Sequence, residues 1–133
     1  MRYHYRGKRK DNGEWVYGAV FVLHHNDDRK HLHYFIIPDN IPIPRDKTIG
    51  EIQVEVIPET IGVYVVEENF YQGDILQGSN SNGLWWGVVE YSTEHRRLMI
   101  HEVYACELFE IDNFSYDKVV GNIHDNPDFF KEQ

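Results

Sequence analysis

The sequence predicts an all-β fold built as one or two small SH3-like barrels with a short C-terminal helix. Gly73-Asp74-Ile75 after a loop, with Gly87-Val88-Val89 opening a strand, reads as the rim of such a barrel, and three observations carry the all-β class. Aromatic residues make up 14% of the 133 residues, with nine Tyr, seven Phe and three Trp, and such side chains fit a pleated, half-buried surface. Alanine, the strongest helix former, occurs only as Ala19 and Ala105. Short alternating apolar runs separated by Gly, Pro, Asn and Asp recur along the chain, which is the pattern of strands joined by turns.

Residues 1–23 read as a hairpin folded at Asp11-Asn12-Gly13, because Asn and Gly tolerate the positive φ of a tight turn. Beyond it Trp15, Tyr17, Ala19, Phe21 and Leu23 alternate, and this set is expected to form the buried face. Asn26-Asp27-Asp28 makes the next turn, and His31 to Ile37 returns as a strand that stops at Pro38. Pro38, Pro42 and Pro44 resist helix and central strand alike, so residues 38–50 read as an extended surface loop docked by Ile41, Ile43 and Ile49. Ile52, Val54 and Val56 alternate with Glu51, Gln53 and Glu55 in a half-exposed strand that ends at Pro58. Val63 to Val66 is a short apolar strand, and Tyr71 to Leu76 a bend leading into another. Ser79 to Gly83 reads as a polar loop, followed by strands at Leu84–Tyr91, Arg97–Tyr104 and Cys106–Ile111. At the end, Asn126 as a cap, Pro127 in the first helical position and Asp128 at the positive end of the dipole predict a helix anchored by Phe129 and Phe130.

Charge narrows the function classes. Residues 1–13 hold Arg2, Arg6, Lys8, Arg9 and Lys10 against Asp11, so of 13 basic and 22 acidic residues the remainder keeps 8 and 21. An acidic body repels nucleic acid and anionic membrane on average, and a basic arm on it suits head-to-tail self-association. The single cysteine, Cys106, forms no internal disulfide and belongs to no Cys-x-x-Cys pair, which fits a reducing interior. The N-terminus has no apolar signal region, and no apolar run approaches the ~20 residues of a membrane span. The expected setting is cytoplasmic, away from any membrane.

Candidate chemistry is sparse. His31 and His33 lie two apart on a strand and share a face, and His24 or His25 across the turn can join them, so they are candidate zinc ligands. The plainer reading is a polar hairpin with solvated histidines, and no resident metal or cofactor is expected. Cys106, between Ala105 and Glu107 in an apolar run, reads as a small buried hydrophobe. No nucleophile elbow, Walker loop or dinucleotide fingerprint occurs, so the chain is read as a non-enzyme. Arg2, Arg6, Lys8 and Arg9 alternate with Tyr3 and Tyr5, an arrangement that binds single-stranded nucleic acid where aromatics stack on bases. The same cations also protect an edge strand from unwanted pairing. Trp85-Trp86 places one ring inward by strand alternation and the other outward as an interface candidate.

Three segments in order resemble the YopX family of phage and prophage proteins. They are Arg6 to Gly18; Tyr71-Gln72-Gly73-Asp74-Ile75-Leu76 with Gly87-Val88-Val89-Glu90-Tyr91; and Val120-Gly121-Asn122-Ile123-His124-Asp125-Asn126-Pro127. Glu67-Glu68-Asn69-Phe70 stands where family members often carry a longer turn with Gly and Lys. The resemblance implies one YopX-like domain over residues 1–133, or two small β subdomains at about 1–60 and 61–133. It implies a phage or prophage origin and does not point to any particular reaction. The expected function is that of an accessory protein that binds a host or phage protein or a second copy of itself. The alternative is a nucleic-acid-binding module using the basic N-terminal strand.

Overall fold

Asn12 and Gly13 turn the chain as their chemistry requires, and in the computed structural model the first hairpin forms around them. The Gly13 N–H donates to the Arg9 carbonyl at 2.9 Å, and Asn12 Oδ1 accepts from the Glu14 N–H at 2.9 Å. The hairpin joins β1 (Tyr5–Lys8) to β2 (Trp15–His25), with Tyr5 opposite Gly18 and Lys8 opposite Trp15. The structure describes residues 4–25, 28–39, 45–65, 68–103, 107–111 and 115–129, without the side chains at 24, 25, 28–30 and 49. Arg2, Tyr3, Ile41, Ile43, Cys106, Phe130 and the 26–27 turn lie outside the described residues.

The chain divides into two compact units, Met1–Tyr64 and Val65–Gln133. In the first, β3 (Asp28–Pro38) pairs with β2, β4 (Val54–Val56) with β3, and β5 (Gly62–Val65) with β1, giving the antiparallel order β4-β3-β2-β1-β5. A single helical turn, α1 (Ile49–Ile52), precedes β4. Val16, Ile36 and Val56 form the core, with Val20, Tyr34, Val54 and Ile61 packed on it. The buried face of β2 is therefore Val16 and Val20, not the Trp15–Leu23 set that alternation by size suggested. Register explains the correction. Gly7 lies opposite Val16, and a Cβ on it would sit 3.2 Å from Ile36 and 3.3 Å from Val56. That close approach commits Val16 and Val20 to the core. Tyr17 and Leu23 are 41% and 44% exposed on the other face, where Phe21 stacks on buried Phe35.

The second unit opens with β6 (Phe70–Tyr71) after a tight turn in which the Val65 carbonyl accepts from Glu68 and Asn69. It continues with β7 (Asp74–Asn80), β8 (Gly83–Ser92), β9 (Arg97–Glu102), β10 (Glu107–Glu110) and β11 (Lys118–Asn122). These last five form an antiparallel sheet in the order β10-β9-β8-β7-β11. Phe70, Leu76, Trp85, Val89 and Ile100 make its core, with Val65, Ile111 and Tyr116 against it.

Three expectations are corrected and one strand is added. Among the described residues the sheets do not close into barrels: β10 and β11 are separate edges, and β4 reaches the chain beyond β1 through the bridge of Arg9 to Val56 and the bonds of Lys10 to Glu55. The polar loop at 79–83 shrinks to the hairpin turn Ser81-Asn82, because Ser79 and Asn80 belong to β7 and Asn80 Oδ1 accepts from the Asn82 N–H at 2.8 Å. β11 is a strand that the sequence pattern did not reveal. No helix forms after Asn126 among the described residues. The Asn126 side chain is turned backward, where its Oδ1 accepts from the Asn122 N–H at 3.2 Å, so it caps nothing ahead of it. Among the described residues no helix is long and apolar enough to cross a membrane.

Charge is segregated. The first unit holds 9 basic and 9 acidic residues and the second 4 and 13, so the net charge of −9 belongs to the second.

Candidate functional site

Alternation on β1 puts Arg6 and Lys8 on one face, opposite Tyr17 and Trp15 of β2. The Arg6 guanidinium lies 4.4 Å from the Trp15 ring centroid and the Lys8 ammonium 5.4 Å from it. Both contacts are within cation–π range. Arg6 is only 6% exposed, so its charge faces an indole and not solvent. Arg9 is clasped by Asp11, with Nε donating to Oδ1 at 3.0 Å and Nη2 to Oδ2 at 2.9 Å. That bond holds the Asp11 carboxyl below the usual carboxylate range. The candidate nucleic-acid residues in the described structure are thus engaged by an aromatic ring or a neighbouring acid, and Arg2 is outside it.

Lys10 Nζ donates to Glu55 at 3.2 Å, and His33 Nδ1 lies 2.9 Å from the same oxygen. The hydrogen bond to His33, with Lys10 adding to it against partial burial, holds the Glu55 carboxyl below its ordinary value. A carboxyl depressed by folding adds stability above the unfolded pKa, about 4.3, and that stability is lost as pH falls through the lower folded value. Glu55→Gln is expected to flatten the acid limb of a stability–pH curve below about pH 4.3, by less than about 1 kcal/mol. Superimposable acid limbs for variant and wild type would refute the assignment.

His33 is committed to Glu55, whereas His31 lies exposed two residues earlier. The side chains of His24 and His25 are outside the description. Among the described residues no three His, Cys, Asp or Glu side chains form a metal-holding group.

The residues flanking β1, the start of β2 and the end of β3 line an open cleft of about 420 Å³. Trp15, Val16, Tyr17 and Pro38 supply its apolar lining, and His4, Arg9, Glu14 and Asp39 its polar lining. The His4 ring stacks on Tyr17 at 6.2 Å, meets Tyr64 edge-on at 5.9 Å and pairs through Nδ1 with Asp39 at 2.5 Å. The Asp39 N–H donates to the Tyr17 carbonyl at 3.0 Å, which fixes the floor. A second hollow of about 330 Å³ is lined by Arg9, Lys10, Asp11, Gln53, Val54 and Glu55. Sequence reading missed His4, Asp39 and Glu55. Their partners lie far along the chain, and only Pro38 marked the strand end that presents Asp39.

In the second unit Trp85 points inward and Trp86 outward. Trp85 is 8% exposed and lies over Gly78, where a Cβ would come within 2.2 Å of its indole. Trp86 is half-buried on the opposite face and donates from Nε1 to Gln77 at 3.1 Å. The two later motifs meet here as structural devices. Buried Asp74 accepts from the Tyr71 N–H at 2.8 Å and stands opposite Asn122. The Gly73 N–H donates to Val89 at 2.7 Å, and the Gly73 carbonyl accepts from Ile123 at 2.9 Å. Asn122 Oδ1 accepts from the N–H groups of His124 and Asp125, at 3.0 and 2.8 Å. These residues tie β7 to β11.

No curated protein and no solved structure matches the chain. The family model described as YopX protein matches residues 4–131, which takes in all three motifs and both units. The chain belongs to the YopX family.

Proposed function

We propose that this is a non-enzymatic phage or prophage accessory protein that works by holding a protein partner, either a second copy of itself or a host or phage protein. One observation carries the reading. Among the described residues β1 pairs with β2 over Trp15–Gly18, and β4 with β3 over Tyr34–Ile36. Among the described residues, the β2–β3 hairpin therefore runs past both neighbours as a two-stranded arm. A two-stranded ribbon is marginal in water on its own. This one exposes Val22 and Leu32 on one face and Leu23 on the other, at 42, 51 and 44%. Apolar side chains on both faces of a projecting ribbon suit insertion into a partner. The nucleic-acid reading draws less support, because Arg6 faces Trp15 and Arg9 is held by Asp11.

Light scattering of the purified chain, with capture from nuclease-treated host lysate, tests this. Wild type is expected to self-associate or to retain a nuclease-resistant protein. Replacing Leu23 and Leu32 by Ser, at exposed positions, is expected to weaken that association about tenfold or more. A chain that stays monomeric and retains no protein would overturn the proposal. Retention that disappears with nuclease would move the assignment to nucleic acid.

A further inference from the structure

We infer that the arm pairs edge to edge with the arm of a second copy of this chain, β2 lying antiparallel beside its counterpart. This rests on the reading of the arm as a protein-binding device, and it names the partner and the mode. Successive residues of a strand turn their N–H and C=O groups to opposite sides. The Tyr17 carbonyl accepts from Asp39, just past β3, and the Glu14 carbonyl accepts from Arg9, just past β1. Odd-numbered β2 residues therefore face β3 and even-numbered ones face the β1 side. Among the described residues β1 pairs no further along β2 than Tyr5 opposite Gly18. Beyond it the backbone groups of Val20, Val22 and His24 point to an edge that no described strand covers.

Edge strands are ordinarily blunted by charges, proline, bulges or shortness. β10 carries Glu107 and Glu110, β11 carries Lys118 and a bulge after Val119, and β4 is three residues long with Glu55. The β2 edge from Ala19 to Leu23 reads Ala-Val-Phe-Val-Leu, with no charge and no proline, and its register with β3 is unbroken. Charge then selects the partner. A two-fold contact sets a surface against itself, so a charged patch repels its own copy. The first unit's 9 basic and 9 acidic residues cancel, and this edge is uncharged, so two copies meet here without repulsion. Antiparallel pairing is self-matching, because a strand edge meets its own reverse across the two-fold axis. β1 fills the lane beside Trp15–Gly18, so the incoming strand fits between that point and the tip of the arm. Pairing there centres on Leu23, with Val22 exchanging N–H to C=O bonds with His24 of the second copy, and the reverse. Val22 and Leu23, both exposed in the single chain, are covered by it.

The test combines light scattering of the full chain over a concentration series with oxidative cross-linking. Leu23→Cys is made in a Cys106→Ala background, which removes the one native thiol. Residue 23 faces its own copy in a non-hydrogen-bonded pair, with Cα atoms about 4.5 Å apart, inside the roughly 4.4–6.8 Å span of a disulfide. Ala19→Cys is the control, because the two copies of residue 19 lie about 26 Å apart along the strands. Wild type is expected to dimerise, and Leu23→Cys to cross-link about tenfold faster than Ala19→Cys or more. Val22→Pro deletes one outward N–H at an edge position where proline is tolerated, and should weaken dimerisation about tenfold, with circular dichroism reporting that it folds. A monomeric wild type, equal cross-linking at positions 23 and 19, or a folded Val22→Pro chain that dimerises like wild type would each overturn the inference. A monomeric wild type that still retains a nuclease-resistant lysate protein overturns the self-pairing and leaves the arm as a binding device, so the two failures are distinguishable.

Discussion

Gly18→Ala is expected to remove at least about 3 kcal/mol of folding stability. A Cβ on Gly18 would lie 1.9 Å from the Ile37 carbonyl oxygen, 2.9 Å from its carbon and 3.2 Å from the Asp39 nitrogen. All three are backbone atoms, so no side chain can swing aside. The β2 and β3 strands must part where Gly18 faces Pro38, and the bond from Asp39 N–H to the Tyr17 carbonyl parts with them. Gly13→Ala supplies the contrast. Gly13 also has a positive φ, 75°, but nothing lies within 4 Å of a Cβ there. Its cost should stay near about 1 kcal/mol, the conformational penalty alone. Urea denaturation separates the two, since a 3 kcal/mol loss moves the midpoint by roughly 1–3 M. A Gly18→Ala midpoint no lower than that of Gly13→Ala would show that the strands are not held as closely as described.

Trp85→Ala is the second large effect, expected at about 3–5 kcal/mol and in the upper part of that range. The cost of a truncated core residue depends on how far its surroundings collapse into the void. Trp85 lies over Gly78, which has no side chain to follow the indole inward, among Phe70, Leu76, Val89 and Ile100. Trp86→Ala removes a half-buried ring and one bond to Gln77, and should cost about 1–2 kcal/mol. Denaturation followed by circular dichroism is the suitable measurement, because both variants alter the fluorescence. Equal losses in the two variants would contradict the inward and outward assignment.

Much of the strand order was legible because turn chemistry is local. Asp11-Asn12-Gly13 turns the first hairpin, and the Trp pair splits between faces as alternation demands. What failed was long-range. On β2 both alternating sets are apolar, so the choice of face rested on Gly7 across the ladder and on Val56 forty residues further along. Register is what flips a strand's faces, and it is not written in the strand itself. The terminal helix failed because Asn126 was read as looking forward, whereas β11 holds it from behind. β11 escaped notice because it is five residues long and bulged between Val119 and Gly121. At the candidate site, the Arg9–Asp11 clasp lies within one turn of sequence and was open to reading. The capture of Lys10 and His33 by Glu55 was not, since it spans 45 and 22 residues.

The pairing of Asp74 with Asn122 and of Gln77 with Lys118 has a consequence for synthesis. The outer edge of β7 is finished by a strand that the ribosome makes about 40–50 residues later, roughly 2–10 s at ordinary elongation rates. Through that interval the nascent chain presents an unsatisfied edge beside Ile75 and Leu76, two of its most apolar residues. An early-emerging segment is thus completed by a late one, and the second unit matures only when the last strand arrives.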